Sequence, residues 1–129
     1  MNADERRCRL DNLTETIIGC AIKVSNTLGV GFLEKVYENA LAVELRRAGL
    51  SVQQQYEMKV IYEGVVVGDY AADMVVEGSV VVELKATSIT DPIHRAQCLN
   101  YLRAADLRVG LLINFGRPKL EVKRVVSGF

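Results

Sequence analysis

Apolar positions in the first third of the chain recur every three or four residues. The first stripe consists of Leu10, Leu13, Ile17, Ala21, Val24 and Leu28. This spacing places the side chains on one face of an amphipathic helix. A second stripe of the same period runs from about Leu33 to Ala48, and Gly49 stands where a C-terminal cap is expected. The pattern therefore predicts two helices, separated by the breaker Gly29-Val30-Gly31.

Beyond the second helix, the apolar positions change to the patterns of extended strands and one further helix. The predicted elements are strands at 52–62, 65–76 and 80–86, a helix at 92–105, and strands at 108–115 and 120–126. Two short turns, Glu63-Gly64 and Glu77-Gly78-Ser79, make the first three strands an antiparallel meander. Asp91 as N-cap and Pro92 at the first helical position are typical of a helix start.

The predicted order is helix, helix, three strands, helix, two strands. We expect an α/β fold in which helices flank a mixed sheet, made of the three-stranded meander and two further strands. The helix at 92–105 would be the crossover that places strand 108–115 parallel to a meander strand. Half of the 129 residues are apolar, so residues 1–129 are expected to form a single domain with a core from about 10 to 126.

Composition narrows the classes of function. The 16 basic and 16 acidic residues cancel, which excludes a protein that binds nucleic acid through net charge alone. Three cysteines without a CxxC motif and a single histidine argue against a disulfide scaffold or a structural zinc site. The N-terminus lacks the apolar segment of a signal peptide, and no apolar run reaches the roughly 20 residues that span a bilayer. We therefore expect a cytoplasmic protein that does not enter membranes.

Three charged side chains, Asp73, Glu83 and Lys85, interrupt valine-rich strands. Burying an ion costs several kcal/mol unless it is paired or bound to a metal. Glu83 and Lys85 are two residues apart on one strand, so they point to the same face, and Asp73 lies on the preceding strand. Convergent carboxylates suit Mg²⁺ or Mn²⁺, and a lysine can orient water or stabilise charge on a phosphate. The pattern favours a divalent-metal site that hydrolyses phosphodiesters.

The turn between the second and third strands decides whether Asp73 reaches this site. A two-residue turn would pair Asp73 with a neighbour of Glu83 and direct it to the opposite face. A three-residue loop, Glu77–Ser79, would pair Val76 with Val80 and set Asp73 opposite Glu83. A β-bulge in the second strand would restore the same arrangement. The sequence leaves the register of this hairpin open.

Two helices carry further candidates, and here the chain resembles a known family. Gly31-x-x-Glu34-x-x-Tyr37 resembles the signature of the bacterial and archaeal GxxExxY proteins, a group within the PD-(D/E)XK nuclease-like superfamily. Gln97 and Tyr101 lie four apart on one helix face and resemble the QxxxY element of RecB-type exonucleases. The resemblance extends over about residues 10–126, and it implies a restriction-endonuclease-like fold.

The resemblance also implies a set of site residues. The expected catalytic residues are Glu34, Asp73, Glu83, Lys85, Gln97 and Tyr101. Asp73 and Glu83 would bind Mg²⁺ or Mn²⁺, and Glu34 would be an accessory acid of the metal site. Lys85 would assist the attacking water, and the two residues of the QxxxY element would support the site. The implied function is metal-dependent hydrolysis of nucleic-acid phosphodiesters, with DNA as the expected substrate.

A second interpretation stays open. The small size and neutral charge also suit a catalytically silent nuclease fold that serves as a binding or structural module, as a homodimer or as a subunit of a larger complex. Asp73, Glu83 and Lys85 would then form an exposed ion-pair cluster that contributes about 0–1 kcal/mol. Glu34 would stabilise a helix N-terminus through the macrodipole. Asp69, four residues before Asp73, is an alternative carboxylate for the site.

Overall fold

The computed structural model describes residues 2–128, which form a five-stranded sheet with helices on both faces. In chain order, the elements are α1 (Ala3–Leu28), α2 (Glu34–Arg47), β1 (Val52–Tyr62), β2 (Val65–Val76), β3 (Val80–Lys85), α3 (Pro92–Ala105), β4 (Val109–Asn114) and β5 (Glu121–Val126). The predicted α/β class and element order are confirmed. Helix α1 begins earlier than its apolar stripe, because the Asn2 side chain caps it by accepting a hydrogen bond from the Glu5 N–H at 2.8 Å.

The strands lie in the order β1-β2-β3-β4-β5. Strands β3 and β4 are parallel, and the other neighbouring pairs are antiparallel. Helix α3 connects β3 to β4, so it is the crossover that the sequence predicts. Both central strands are almost wholly buried, which explains their continuous apolar runs.

Each face of the sheet has its own hydrophobic core. Helices α1 and α2 cover one face, where Ile17 and Leu41 pack against Val82 and Leu84. Helix α3 covers the other face with Cys98 and Leu102, which pack against Val75, Val81 and Val125. Gly110 of β4 permits this close approach, since a Cβ there would lie 2.8 Å from the Cys98 Sγ. We call these the α1/α2 core and the α3 core.

The turn between β2 and β3 is the three-residue loop Glu77–Ser79. Val76 pairs with Val80, and the Ser79 N–H donates to the Val76 carbonyl at 3.0 Å. Glu77 and Gly78 adopt φ values of 53° and 60°, the left-handed conformation that such a tight loop needs. This register places Asp73 opposite Glu83, as the active-site interpretation requires.

The side chains of β2 change faces at Asp73. Met74 and Val76 pack in the α1/α2 core, whereas Ala72 packs in the α3 core. Regular alternation would place all three on one face, so the alternation slips by one residue between Ala72 and Met74. Asp69 and Asp73 are four residues apart and would share a face on an unbulged strand, but this relation does not apply across the slip.

Strand β1 makes the same change at the facing position. Val52 packs against the α1/α2 core, but Tyr56 and Met58 belong to the α3 core. Gln55, which lies opposite Asp73 between the paired positions on either side, adopts a left-handed φ of 52°. The two strands therefore switch faces together, and the outer part of their hairpin presents its other side to α3.

Candidate active site

Asp73 and Glu83 meet where β2 and β3 separate. Backbone pairing of the two strands extends from the loop to Met74 and Val82. Beyond that point, hydrogen bonds to carboxylate side chains take the place of backbone pairing. The Asp73 N–H donates to Glu83 Oε1 at 2.8 Å, and the Leu84 N–H donates to Asp73 Oδ2 at 2.7 Å. Each carboxylate is thus held by a backbone N–H of the opposite strand, and the two acids converge in the register that the active-site interpretation requires.

The pair is poorly solvated. Glu83 is 6% exposed, and Asp73 is half-buried. Burial, reinforced by the charge of Asp73, raises the pKa of Glu83 to about 8. Burial also raises the pKa of Asp73, although the hydrogen bond from the Leu84 N–H opposes the shift. Two carboxylates that burial and mutual repulsion disfavour as anions are a donor set that fits a hard divalent cation.

Lys85 accompanies the pair. Because Leu84 packs in the α1/α2 core, alternation directs Glu83 and Lys85 toward the α3 face. The positive charge of Lys85 lowers the pKa of both Asp73 and Glu83, although burial outweighs it for each. The two acids and the lysine therefore form one electrostatic group, with the amine on the side from which α3 packs.

Helix α2 contributes two acids rather than one. Glu34, in its first turn, and Glu38, one turn later, both raise the pKa of Asp73 through their charge. Glu34 is exposed, and Glu38 is only 3% exposed. Among residues 2–128, no group of three or more His, Cys, Asp or Glu side chains is arranged to hold a metal. The structure thus brings Asp73 and Glu83 together and leaves Glu34 near them without completing a three-carboxylate cluster.

Glu38 is a buried acid that the sequence interpretation misses. Its Oε2 accepts hydrogen bonds from Lys35 Nζ at 2.9 Å and from Gln54 Nε2 at 2.7 Å, and its Oε1 accepts one from Gln55 Nε2 at 2.9 Å. Two consecutive strand residues can both reach α2 because Gln55 leaves the regular strand conformation. The spacing of four residues from Glu34 is the signal that places both acids on one helix face.

The loop before α2 accounts for the glycine and tyrosine of the GxxExxY pattern. Gly31 adopts a φ of 110°, which L side chains rarely adopt. The Tyr37 hydroxyl donates to the Gly29 carbonyl at 2.6 Å and accepts from the Phe32 N–H at 3.2 Å. The Tyr37 ring stacks on Phe115 with centroids 4.8 Å apart. These contacts hold the α1–α2 loop and thereby place Glu34 at the start of α2.

Helix α3 brings Tyr101 toward the carboxylates. Burial raises the pKa of Tyr101, and the charges of Glu83 and Asp73 raise it further. Gln97 is exposed on the same helix face, and both residues line a cavity between α3 and the β1–β2 hairpin. Asp69, the alternative carboxylate, is 76% exposed at its side chain and forms an ion pair with Lys59 at 3.4 Å.

Asn114 supports the segment that follows Lys85. It is buried in β4, where its Oδ1 accepts from the Thr87 N–H at 3.1 Å and the Gly116 N–H at 2.9 Å. Its Nδ2 donates to the Thr87 carbonyl at 2.9 Å. A Cβ at Gly116 would lie 2.3 Å from the Thr87 backbone. This contact fixes the path from β3 into α3, and the sequence interpretation misses it.

Comparison with known proteins identifies the superfamily. A sequence model of the PD-(D/E)XK nuclease superfamily matches residues 11–125. The chain belongs to this superfamily. The expected superfamily is confirmed, and membership of the GxxExxY group stays a prediction. PD-(D/E)XK nucleases generally use divalent metals, in accord with the chemistry of the Asp73–Glu83 pair.

A solved structure supports the fold. The chain is similar to the crystal structure of SSO0001, with a TM-score of 0.60 and 17% sequence identity. The alignment covers 96% of this chain and 63% of the SSO0001 chain, so this protein spans less than two thirds of the length of SSO0001. At this identity, the similarity supports the restriction-endonuclease-like fold alone.

A comparison with curated proteins found no match. In residues 2–128, no helix is both long enough and apolar enough to cross a bilayer.

Proposed function

We propose that this PD-(D/E)XK protein is a metal-dependent nuclease that hydrolyses nucleic-acid phosphodiesters, with DNA as the first substrate to test. The observation that carries the proposal is the pair of reciprocal hydrogen bonds at the point where β2 and β3 separate. The Asp73 and Glu83 carboxylates converge there through two backbone hydrogen bonds, next to Lys85. An arrangement that serves stability alone would not hold two repelling carboxylates out of water.

In this proposal, Asp73 and Glu83 hold Mg²⁺ or Mn²⁺. The raised pKa of each acid fits this role, because a bound cation removes the repulsion that burial intensifies. Glu34 contributes an accessory carboxylate from the first turn of α2. A divalent cation bound there supplies Lewis-acid polarisation of the phosphate and lowers the pKa of water.

The other proposed roles belong to side chains of the chain itself. The Lys85 amine orients the attacking water and stabilises negative charge that develops on the phosphate. A tyrosine hydroxyl is already protonated at neutral pH, and burial together with the nearby carboxylates raises the pKa of Tyr101 further. It is therefore a hydrogen-bond donor to a phosphate oxygen, and Gln97 offers a second polar group from the same face of α3. Glu38 positions β1 opposite Asp73 through its bonds to Gln54 and Gln55.

The test is cleavage of single- and double-stranded DNA and RNA with Mg²⁺ or Mn²⁺. We expect Asp73→Asn and Lys85→Met to lower the cleavage rate at least about 100-fold, the scale of losing one preorganised electrostatic group. Asp69→Asn and Lys123→Met are matched controls that neutralise exposed residues of the same types, and both should retain activity. Full activity in both Asp73→Asn and Lys85→Met would remove the site assignment.

A second candidate is a catalytically silent module that forms a homodimer or joins a larger complex. The exposed apolar side chains at the outer end of the β1–β2 hairpin favour it, since such patches often mark interaction surfaces. Calorimetric titration with Mn²⁺ separates the two proposals. Heat of binding that disappears in Asp73→Asn supports the nuclease. An intact fold that binds no metal at millimolar Mn²⁺ supports the module.

A further inference from the structure

A cavity of about 480 Å³ lies between α3 and the outer part of the β1–β2 hairpin. Its walls combine aromatic and apolar side chains, Tyr70, Tyr101 and Ile61, with the cations Lys59 and Arg103. We call it the hairpin–helix cavity. Its volume is within the range of roughly 300–1,000 Å³ typical of small-ligand sites. The cavity is therefore large enough for a nucleobase.

We propose that the hairpin–helix cavity binds an unpaired nucleotide of a single strand, with its base stacked on Tyr70. This inference rests on the proposed nuclease function, because it gives that same site a substrate class. It assigns the substrate as a single strand or a frayed end. A base inside a duplex is stacked between its neighbours and would have to be extruded before it could enter such a cavity.

The aromatic residues provide the stacking surface. The rings of Tyr70 and Tyr101 lie with centroids 5.9 Å apart and planes tilted by 54°. Tyr70 is 51% exposed, so part of its ring is open to a ligand. Val60 and Ile61, which also line the cavity and are exposed, add apolar contact area. Stacking of bases on aromatic side chains accepts any base and is a common means of holding single strands.

The charges complement a nucleic-acid backbone. Lys59 lies on β1 and Arg103 on α3, so cations stand on both walls of the cavity. The ion pair of Lys59 with Asp69 is solvent-exposed, so its exchange for a phosphate contact costs little. The side-chain amides of Gln97 and Asn100 provide donors and acceptors for the polar edge of a base. The chain is neutral as a whole, and the two cations that line this cavity supply locally the positive charge that the whole chain lacks.

Tyr101 connects the cavity with the face of the sheet that carries the candidate site. It contacts Tyr70 in the cavity, and its helix packs on the face toward which alternation directs Glu83 and Lys85. A nucleotide held in the cavity therefore lies on the same face of the sheet as residues proposed to act on the phosphodiester. The stacked base would anchor the strand while the backbone passes the carboxylates.

The test measures binding without metal, so that it does not depend on cleavage. Fluorescence anisotropy in EDTA would compare a labelled oligodeoxythymidine, an oligouridine of equal length and a blunt DNA duplex. We expect Tyr70→Ala to weaken single-strand binding at least about fivefold, the lower end of the effect of losing one stacked base. Tyr70→Phe, which keeps the ring, should retain binding. Tyr62→Ala is the matched control, because Tyr62 is 65% exposed on the same hairpin and outside the residues that line the cavity.

Three results would overturn the inference: equal losses in Tyr70→Ala and Tyr62→Ala, an equal effect of Tyr70→Ala on the duplex, or no single-strand binding at about 100 µM protein. The oligouridine arm shows whether the nucleotide is taken from DNA, from RNA or from both. Tyr70-dependent binding without cleavage in Mn²⁺ would support the cavity and contradict the nuclease proposal. Cleavage in Mn²⁺ without Tyr70-dependent binding would do the reverse.

Discussion

The two ends of the β1–β2 hairpin show opposite relations between polarity and burial. At the inner end, residues 52–55 and 73–76, the sheet is covered by helices, and the half-buried Asp73 adjoins the buried Glu83. At the outer end, residues 59–70, large apolar side chains are exposed to solvent. They are Val60, Ile61, Tyr62, Val65, Val66, Val67 and Tyr70. The same pair of strands therefore holds a half-buried carboxylate, Asp73, at one end and exposed apolar side chains at the other.

A carboxylate removed from water and a set of exposed apolar side chains both lower the stability of the chain without ligands. We therefore expect each end of the hairpin to bind a ligand. Carboxylates are rarely buried without a partner, and contiguous exposed apolar side chains are uncommon on monomeric proteins. A divalent cation would bind the carboxylates of the inner end, and an unpaired base in the hairpin–helix cavity would cover part of the outer end. The face switch at Gln55 and Asp73 connects them, because it directs Tyr70 toward α3 while Met74 stays in the opposite core.

The largest expected contrast is in stability. Met74→Ala at the inner end removes a side chain with no exposed area, and we expect a loss of about 2–5 kcal/mol in the free energy of unfolding. Val66→Ala at the outer end, where the side chain is 49% exposed, should change it by no more than about 0.5 kcal/mol. Urea unfolding of both variants measures this contrast. A comparable loss in Val66→Ala would mean that the outer end packs against something in solution.

The pH dependence of stability probes the buried acid of the inner end. The pKa of Glu83 rises from 4.5 to about 8 on folding, so between these values the folded state holds a proton that the unfolded state has released. Stability of the metal-free protein should therefore be greatest below about pH 4.5 for this group and decline toward pH 8. The slope from this residue is at most about 1.4 kcal/mol per pH unit.

Thermal unfolding of the metal-free protein at a series of pH values checks this decline. Glu83→Gln should flatten the profile, whereas Glu57→Gln, an exposed acid of β1, should leave it unchanged. A profile of the wild-type protein that rises from pH 5 to pH 8 would contradict the direction of the Glu83 shift.

The smallest expected effect concerns the junction between the two ends. Gln55→Val places a β-branched residue at a φ of 52°, so we expect a loss of about 1–2 kcal/mol, together with loss of the hydrogen bond to Glu38. Gln53→Val is the matched control on a regular, exposed position of β1 and should be neutral or slightly stabilising. Gln55→Asn should cost less, because asparagine tolerates the left-handed conformation. Equal stability of both valine variants would show that the face switch is not strained.

Much of the fold could be predicted from local patterns. Helices and strands differ in apolar period, and capping residues such as Asp91 and Pro92 mark where helices begin. The three charged residues Asp73, Glu83 and Lys85 can also be recognised from the sequence, because charged residues are unusual in valine-rich strands. The apolar stripe does not predict the start of α1, because the first two turns of this helix are polar and lie outside the stripe.

The supporting residues of the site could not be predicted in this way. Glu38 and Asn114 are ordinary polar residues in sequence, and their importance comes from burial and from partners distant along the chain. Gln55 likewise carries no local signal, because its left-handed backbone occurs together with a hydrogen bond to Glu38, which is distant along the chain. Polar residues in the interior are defined by what surrounds them, and the surroundings are set by tertiary packing.

The element order, the crossover and the presence of three charges on adjoining strands can be read from the sequence, because they follow from periodicity and short-range spacing. Which of those charges meet depends on the packing of the strands. The sequence is compatible with a turn of two residues or of three residues between β2 and β3. The pairing of Val76 with Val80 shows that the loop has three residues, and this register sets Asp73 opposite Glu83. Alternation along a strand predicts a face only while the strand stays regular. Contacts between α2 and β1 accompany the slip at Gln55, and beyond that slip the outer hairpin directs Tyr70 toward α3.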